Sequence, residues 1–144
     1  MNRRPSLALC LSALLVSGCG GGGSLLPRVG TVTLFEHRAQ FVGLPRFGVY
    51  VTDFTVPASG TLFISVDWTS PADDVDLVLS NPACDATALS VGLCKVLATE
   101  ASNVKPAQLL MGTTATAYRL FVINRGPGAE SGTITATVTQ TAAP

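Results

Sequence analysis

The sequence predicts an all-β protein, an antiparallel sandwich or barrel with little or no helix. Three observations predict it: apolar and polar residues alternate in at least six segments, clusters of Pro, Gly, Asn and Asp separate these segments, and no long stretch has helical periodicity. Alternation with a period of two is typical of strands that bury one face, and regularly spaced turn residues are typical of antiparallel connections. A chain of 144 residues suits a single domain with a substantial core.

Two segments show the alternation most clearly. In TLFISVDW every second residue from Leu62 to Trp68 is apolar, which predicts that this face lies in the core. In TITATVTQT the side chains of Ile134, Ala136 and Val138 face the core, and the alternating threonines face solvent. Threonine suits that position because its β-branched side chain favours extended backbone.

The other predicted strands have weaker alternation but clear boundaries. They are GTVTLFE near Thr31, FGVYVTDF from Phe47, VDLVLS from Val75 and YRLFVIN from Tyr118. The turn phrases between strands are LPR, PASG, SPADD, NPAC and RGPG. Proline fixes φ and lacks an N–H, while Gly, Asn and Asp tolerate turn conformations, so these phrases interrupt strands.

Three phrases together resemble a known family. FTVPASGTLFISVDW, then DDVDLVLS, then YRLFVINRG resemble, in order and spacing, the bacterial pre-peptidase C-terminal domain and its jelly-roll relatives. The resemblance covers most of the chain after about Phe54. It implies a jelly-roll-like β-sandwich of about eight strands over residues 29–144, and an accessory binding role rather than catalysis.

The N-terminus has the order of a lipoprotein leader. MNRR provides positive charge, LALCLSALLV is a short apolar run, and LVSGC places small residues before Cys19. We therefore expect a signal peptide over residues 1–18 and diacylglycerol on the Cys19 thiol. The apolar run is shorter than the roughly 20 residues of a membrane-spanning helix.

The residues after Cys19 predict a flexible tether and a cellular location. Residues 19–28 are rich in glycine, the composition of a flexible linker. Gly20 stands where enteric bacteria place the Asp of their inner-membrane retention signal. We therefore predict a cell-envelope protein that is anchored by lipid, in the outer membrane where the host has one.

The charge distribution argues against nucleic acid as a partner. Nine Lys and Arg residues balance nine Asp and Glu residues, and the leader contains two of the basic ones. The remaining basic residues are scattered along the chain, whereas phosphate binding needs clustered Lys and Arg.

Two cysteines remain for the folded part. Cys10 leaves with the leader and Cys19 takes the lipid, so Cys84 and Cys94 are predicted to form a disulfide that closes a loop after VDLVLS. A metal site is the alternative, but metal binding needs about four ligands and no His or further Cys stands nearby.

The densest acidic segment is formed by Asp73, Asp74 and Asp76. Such carboxylates could converge on calcium, which takes six to eight oxygen ligands. The alternative, which we favour, is a solvated turn whose Asp side chains cap backbone N–H groups. A glycosidase pair is a poor interpretation, because Asp74 and Asp76 share one face and one environment, which does not separate their pKa values. We expect no cofactor, with calcium as the one candidate.

The sequence contains no convincing catalytic group. His37 is the one histidine, with no GxSxG phrase or similar frame around any serine, so we interpret it as a polar residue at a strand edge or turn. Trp68, which could offer a sugar-stacking surface, falls in register with the core positions. The function predicted is a non-catalytic binding or adhesion module contacting glycan or envelope protein. The alternative is a structural or assembly lipoprotein that acts through a protein partner.

Overall fold

The computed structural model describes residues 30–101 and 103–142, which form eight strands in two four-stranded sheets and one five-residue helix. The elements are β1 (Thr31–Leu44), β2 (Val49–Val56), β3 (Gly60–Trp68), β4 (Val75–Ser80), α1 (Ala86–Ser90), β5 (Val96–Glu100), β6 (Ala107–Thr113), β7 (Thr116–Asn124) and β8 (Glu130–Thr141).

All the strand pairings are antiparallel, and their order is that of a jelly roll. Sheet A has the order β1-β8-β3-β6 and sheet B the order β2-β7-β4-β5. Consecutive strands thus alternate between the sheets for the first four strands, as in a double Greek key. The predicted all-β, jelly-roll-like sandwich is confirmed.

The core lies between the two sheets and follows the predicted alternation. In β3 every second side chain from Leu62 to Trp68 is buried. In β8 the buried side chains are those of Ile134, Ala136 and Val138. The threonines of β8 lie on the other face, where they are half-buried or exposed. The inward faces of both sheets therefore supply the apolar surface whose burial drives folding.

Several elements differ from the sequence-based expectation. β1 extends to Leu44, well beyond GTVTLFE, because its polar half pairs with β8 at the edge of sheet A. The alternation did not reveal β5, an edge strand with a partly exposed inner face. It did not reveal β6 either, because the outward-facing Leu110 interrupts the alternation of polar and apolar residues. α1 forms because Asp85 caps its first turn, its side chain accepting a hydrogen bond from the Ala88 N–H at 2.7 Å.

The connections divide between the two ends of the sandwich. One end, here called the site end, carries the connections of residues 45–48, 69–74, 103–106 and 125–129. The opposite end carries Gly30, whose carbonyl accepts a hydrogen bond from the Ala142 N–H, and the connection of residues 81–95 that contains α1. That connection folds back over the outer face of sheet B, because Arg119 of β7 donates a hydrogen bond to the Cys84 carbonyl at 2.7 Å.

No helix within residues 30–101 and 103–142 is long and apolar enough to cross a membrane. The predicted signal peptide, the lipidated Cys19 and the tether of residues 19–28 lie outside the described residues.

Candidate functional site

The acidic segment lies at the site end, but it is not the solvated turn that the sequence favours. Asp73 is buried, with 6% of its surface exposed, beneath the connection that joins β7 and β8. Its side chain is hydrogen-bonded to Glu130, the first residue of β8, which is 1% exposed. Neither the pairing nor the burial is visible in the sequence, because Glu130 stands far from the acidic run.

Small residues and polar partners enclose this carboxyl pair. A Cβ on Gly126 would collide with the Asp73 side chain, so only glycine allows this close approach. Glu130 accepts hydrogen bonds from the Thr69 hydroxyl and from the Ser70 N–H, the latter at 3.0 Å. With its oxygens occupied and buried, Glu130 has no access to a substrate.

The two carboxyl groups of the pair have pKa values that shift in opposite directions. The hydrogen bond to Glu130 raises the pKa of Asp73, and burial and the Glu130 charge raise it further. Burial raises the pKa of Glu130, but hydrogen bonds from Asp73, Thr69 and the Ser70 N–H outweigh this, so the net pKa is lowered. Asp73 is therefore the acid that donates and Glu130 the carboxylate that accepts.

The other two carboxylates of the segment have different surroundings. Asp76 forms an ion pair with Arg125 at 2.8 Å. Asp74 has one buried oxygen, Oδ1, without a hydrogen-bond partner in the described part of the chain, and burial and the Asp76 charge raise its pKa. No group of three or more potential metal-ligating side chains occurs among the described residues. Calcium binding by Asp73, Asp74 and Asp76 thus stays a prediction. Asp73 and Asp76 already interact with Glu130 and Arg125.

The two sequence candidates with aromatic rings belong to the core or its edge. Trp68 is 3% exposed and donates from Nε1 to the Asp73 carbonyl at 3.1 Å, as the core interpretation requires. His37 lies half-buried on edge strand β1, where its ring stacks on Phe54 and Nε2 lies 3.1 Å from the Thr52 hydroxyl. The interpretation of His37 as a strand-edge residue agrees with this position.

Cys84 and Cys94 form the predicted disulfide. The connection it closes covers the middle of the outer face of sheet B, and Cys84 packs there with Phe121 and Ile123 of β7. Leu89 of α1 packs against the same cluster. The disulfide therefore stabilises a second, smaller apolar cluster on the outer face of sheet B. α1 projects from this face.

The turn between β1 and β2 presents a strained aromatic residue. Phe47 has φ 60°, and its N–H donates to the Asn124 carbonyl at 2.7 Å while the Asn124 N–H donates to the Gly48 carbonyl at 3.1 Å. Phe47 and Gly48 thus lie opposite the single residue Asn124, as in a G1 bulge. The first of the two bulged residues is left-handed and is normally glycine, but here it is Phe47. A left-handed L-residue costs about 1–2 kcal/mol. Phe47 is nevertheless 59% exposed.

Asn124 holds this turn from inside the site end. Its side chain donates to the Leu44 carbonyl at 3.0 Å and to the Gly128 carbonyl at 2.7 Å, and it accepts from the Gly126 N–H at 2.9 Å. Asn124 is fully buried. The Phe47 turn and the connection over Asp73 are therefore joined through one side chain.

Phe47 and α1 form the two sides of a groove on the outer face of sheet B, here called the β2 groove. Its volume is about 380 Å³, within the roughly 300–1,000 Å³ of small-ligand sites. Ser90 and Arg125 are its polar lining residues. Its apolar lining residues are Phe47, Val49, Val78, Ala86, Leu89 and Ile123.

The two outer faces of the sandwich differ in character. On sheet A, a shallow depression is lined chiefly by polar residues of β1 and β8, including Arg38, Gln40, Thr133 and Thr135. Sheet B and its covering connection carry most of the exposed large apolar side chains of the described residues, namely Phe47, Val49, Val51, Val91, Leu93, Val96 and Leu97. A concentration of exposed apolar surface is typical of interaction faces.

Phe47, Asn124 and Glu130 were not predicted as site residues, and Phe47, predicted to begin a strand, lies in the turn before β2. One signal for Phe47 was present: the phrase LPRFG places an aromatic residue inside a turn framed by Pro and Gly.

No protein-family model matches the sequence, and no curated protein matches it. Among solved structures, the pre-peptidase C-terminal domain of the Bacillus anthracis collagenase is similar over 74% of this chain and 88% of that domain, with 16% identity and a TM-score of 0.47. This is a domain of the family that the three sequence phrases resemble. PliG of Aeromonas hydrophila, a periplasmic lysozyme inhibitor of g-type lysozyme, is similar over 78% of this chain and 89% of that protein, with 10% identity and a TM-score of 0.43. Similarity at these levels does not extend to function.

Proposed function

We propose that this chain is a non-catalytic binding module of the bacterial cell envelope, anchored by lipid on Cys19, that binds a protein partner through the β2 groove. One observation carries the proposal: Phe47 is held in a left-handed conformation, and its exposed ring lines an apolar groove. A non-glycine residue in that conformation persists only where its surroundings enforce it, and such residues cluster at functional sites.

The lining of the groove favours a protein partner over a glycan. Five aliphatic side chains and one aromatic ring suit apolar side chains of a partner, whereas a sugar needs many hydrogen-bonding groups. Trp68 is buried and offers no stacking surface. An adhesion module that contacts an envelope protein and an assembly lipoprotein would each use a protein contact of this kind.

The charges beside the groove favour an acidic partner. The Arg46 guanidinium lies 4.6 Å from the centre of the Phe47 ring, and it forms no ion pair among the described residues. Arg125 is already neutralised by Asp76. A carboxylate next to an apolar side chain of the partner would therefore meet Arg46 as that side chain enters the groove.

The arrangement of polar side chains supports a non-catalytic role. In the described part of the chain the hydrogen-bond partner of the His37 ring is Thr52, and no carboxylate orients the ring. A catalytic triad needs that third group. The Asp73–Glu130 pair is buried beneath two connections and serves the structure of the site end.

Site-specific photocrosslinking in the native host tests the proposal. A photoreactive amino acid at position 47 or 49, at the groove, should give a discrete crosslinked protein band on irradiation of whole cells. The matched control is the same amino acid at position 137, on the outer face of sheet A, which should give no such band.

Crosslinks from position 47 that run only to glycan strands would contradict a protein partner. Equal crosslinking from positions 47 and 137 would contradict the groove as the contact surface.

A further inference from the structure

We infer that the partner contributes an extended segment that pairs with the free edge of β2 as an added strand of sheet B. The inference rests on the proposed function, because it names how the partner reaches the β2 groove. Its evidence is separate, however: it depends on backbone groups and strand order rather than on the groove lining.

The ladder with β7 determines which backbone groups of β2 are free. β2 is an edge strand, since sheet B has the order β2-β7-β4-β5. The Asn124 N–H donates to the Gly48 carbonyl, and hydrogen-bonded pairs recur at every second residue of an antiparallel ladder. The N–H and C=O groups of Tyr50, Thr52, Phe54 and Val56 therefore point toward β7. At Gly48 only the C=O does so, because the Gly48 N–H donates to the Pro45 carbonyl. The N–H and C=O groups of Val49, Val51, Asp53 and Thr55 point away from β7, and all four of these residues are exposed.

β2 lacks the devices that protect other edges. Natural edge strands carry bulges, prolines, lysines or short lengths that prevent pairing with another chain. β2 has eight residues, VYVTDFTV, with no Pro, Gly or Lys, and it pairs with β7 in an unbroken register. Its one charged residue, Asp53, is bound by Arg119 through two hydrogen bonds of 2.7 Å.

The other three edges in the described residues differ from β2. β1 has two irregularities in its register, and β5 has five residues and one irregularity. β6 contains Gly112 and follows Pro106. Glycine and proline weaken a strand as a template for pairing. An incoming strand therefore finds its best template at β2.

The groove and the free edge are adjacent. Val49 contributes its side chain to the groove lining and its backbone groups to the free edge. Val51 is the next residue on the same face and is 39% exposed. An added strand would have alternate side chains beside these valines and Phe47, which combines main-chain hydrogen bonds with apolar contacts as in other cases of strand addition. Arg46 stands at the Phe47 end of this edge, where it would meet an acidic residue of the segment.

The probe is a set of twelve-residue linear peptides, selected from a phage-displayed random library on the immobilised full-length chain in detergent. Hydrogen exchange is then followed residue by residue with and without a selected peptide. We expect the amides of Val49, Val51, Asp53 and Thr55 to exchange at least tenfold more slowly when the peptide is bound. Those of Tyr50, Thr52 and Phe54 are already bonded to β7 and should change little.

Two variants at one position provide the matched comparison. Val51→Pro removes the N–H at the free edge, which an edge strand tolerates without loss of its own ladder. Val51→Thr keeps that N–H and the β-branched shape. Peptide affinity should fall at least tenfold in Val51→Pro and stay within about threefold in Val51→Thr. The exchange measurement on the unaltered chain decides the matter even if Val51→Pro fails to fold.

The remaining outcomes separate the inference from the proposed function. If Phe47→Ala weakens peptide binding but the four amides gain no protection, the groove binds a partner and strand addition is wrong. If no peptide is selected, or if neither Phe47→Ala nor Val51→Pro weakens binding, both proposals fail. Protection that increases with the concentration of the chain alone would assign the edge to a second copy and overturn the inference of a separate partner.

Discussion

Replacing Phe47 by glycine should stabilise this protein relative to alanine at the same position, the reverse of the usual order. Phe47 adopts φ 60° at the bulge position that normally carries glycine. At ordinary strand positions glycine is less stable than alanine by about 0.5–1 kcal/mol, because the unfolded chain gains freedom. At position 47 glycine also relieves the left-handed strain, which is worth about 1–2 kcal/mol and outweighs the usual disadvantage of glycine relative to alanine.

The magnitudes follow from what each variant loses. About two fifths of the Phe47 surface is buried, since 59% is exposed. Full burial of a Phe side chain contributes roughly 1.5–3 kcal/mol, so removal of this ring should cost about 1 kcal/mol. Phe47→Ala keeps the strain and should lose that amount. Phe47→Gly loses the same contacts but gains about 0.5–1 kcal/mol net from the backbone, so it should lie close to the wild-type stability.

Urea denaturation of the variants provides the measurement, with an expected difference between Phe47→Gly and Phe47→Ala of about 0.5–1 kcal/mol, or a few degrees in Tm. The matched control is Thr55→Gly against Thr55→Ala on the exposed face of β2, the strand that follows the Phe47 turn, where alanine should be the more stable. Both Phe47 variants should lose partner binding. If glycine is less stable than alanine at position 47 by the same margin as at position 55, Phe47 is not strained, and its conformation does not mark a functional site.

Three further predictions concern the carboxyl pair, the disulfide and the lipid. Because the pKa of Asp73 is raised, the stability that its proton contributes is present at low pH and lost as the pH rises through that pKa. Because the pKa of Glu130 is lowered, the stability that its carboxylate contributes is lost only as the pH falls through the pKa of Glu130. Asp73→Asn keeps a hydrogen-bond donor, so it should remove the loss of stability on the alkaline side in denaturation series across pH. Cys84→Ser with Cys94→Ser should cost about 2.7 kcal/mol by the chain-entropy estimate, and alkylation of the unreduced chain followed by intact mass should find neither thiol labelled. Cys19→Ser should move the protein from membrane to soluble fractions, and unchanged retention would contradict lipid anchoring.

The fold was predictable because alternation is a local signal. The inward positions of β3 and β8 follow from the period of their own residues, and both were assigned correctly. β5 was not predicted because its side chains are only partly buried on either face. β6 was not predicted because Leu110 is apolar although it faces solvent, which hides the contrast between its faces. The cysteine pair was predictable for a different reason: once Cys10 and Cys19 were assigned to the predicted leader and lipid, Cys84 and Cys94 left a single pairing.

The candidate site was less predictable because its parts come from distant segments. Asp73 lies in the connection between β3 and β4, Glu130 is the first residue of β8, and only the jelly-roll order brings these two places together. The left-handed conformation of Phe47 depends on Asn124 of β7, which lies opposite the turn in space but far along the chain. A turn phrase such as LPRFG predicts where the chain reverses, but not which residue takes the strained position.

The fold also sets where the β2 groove lies relative to the proposed lipid. The chain enters β1 beside Ala142, at the end opposite the site end. β1 has 14 residues, so it carries the chain about 43 Å to the Phe47 turn at 3.3 Å per residue. The eleven peptide steps from Cys19 to Gly30 reach at most about 40 Å. If Cys19 carries the lipid and the sandwich stands upright on its tether, the Gly30 end would face the anchoring membrane, and Phe47 with the free edge of β2 would face a partner beyond it.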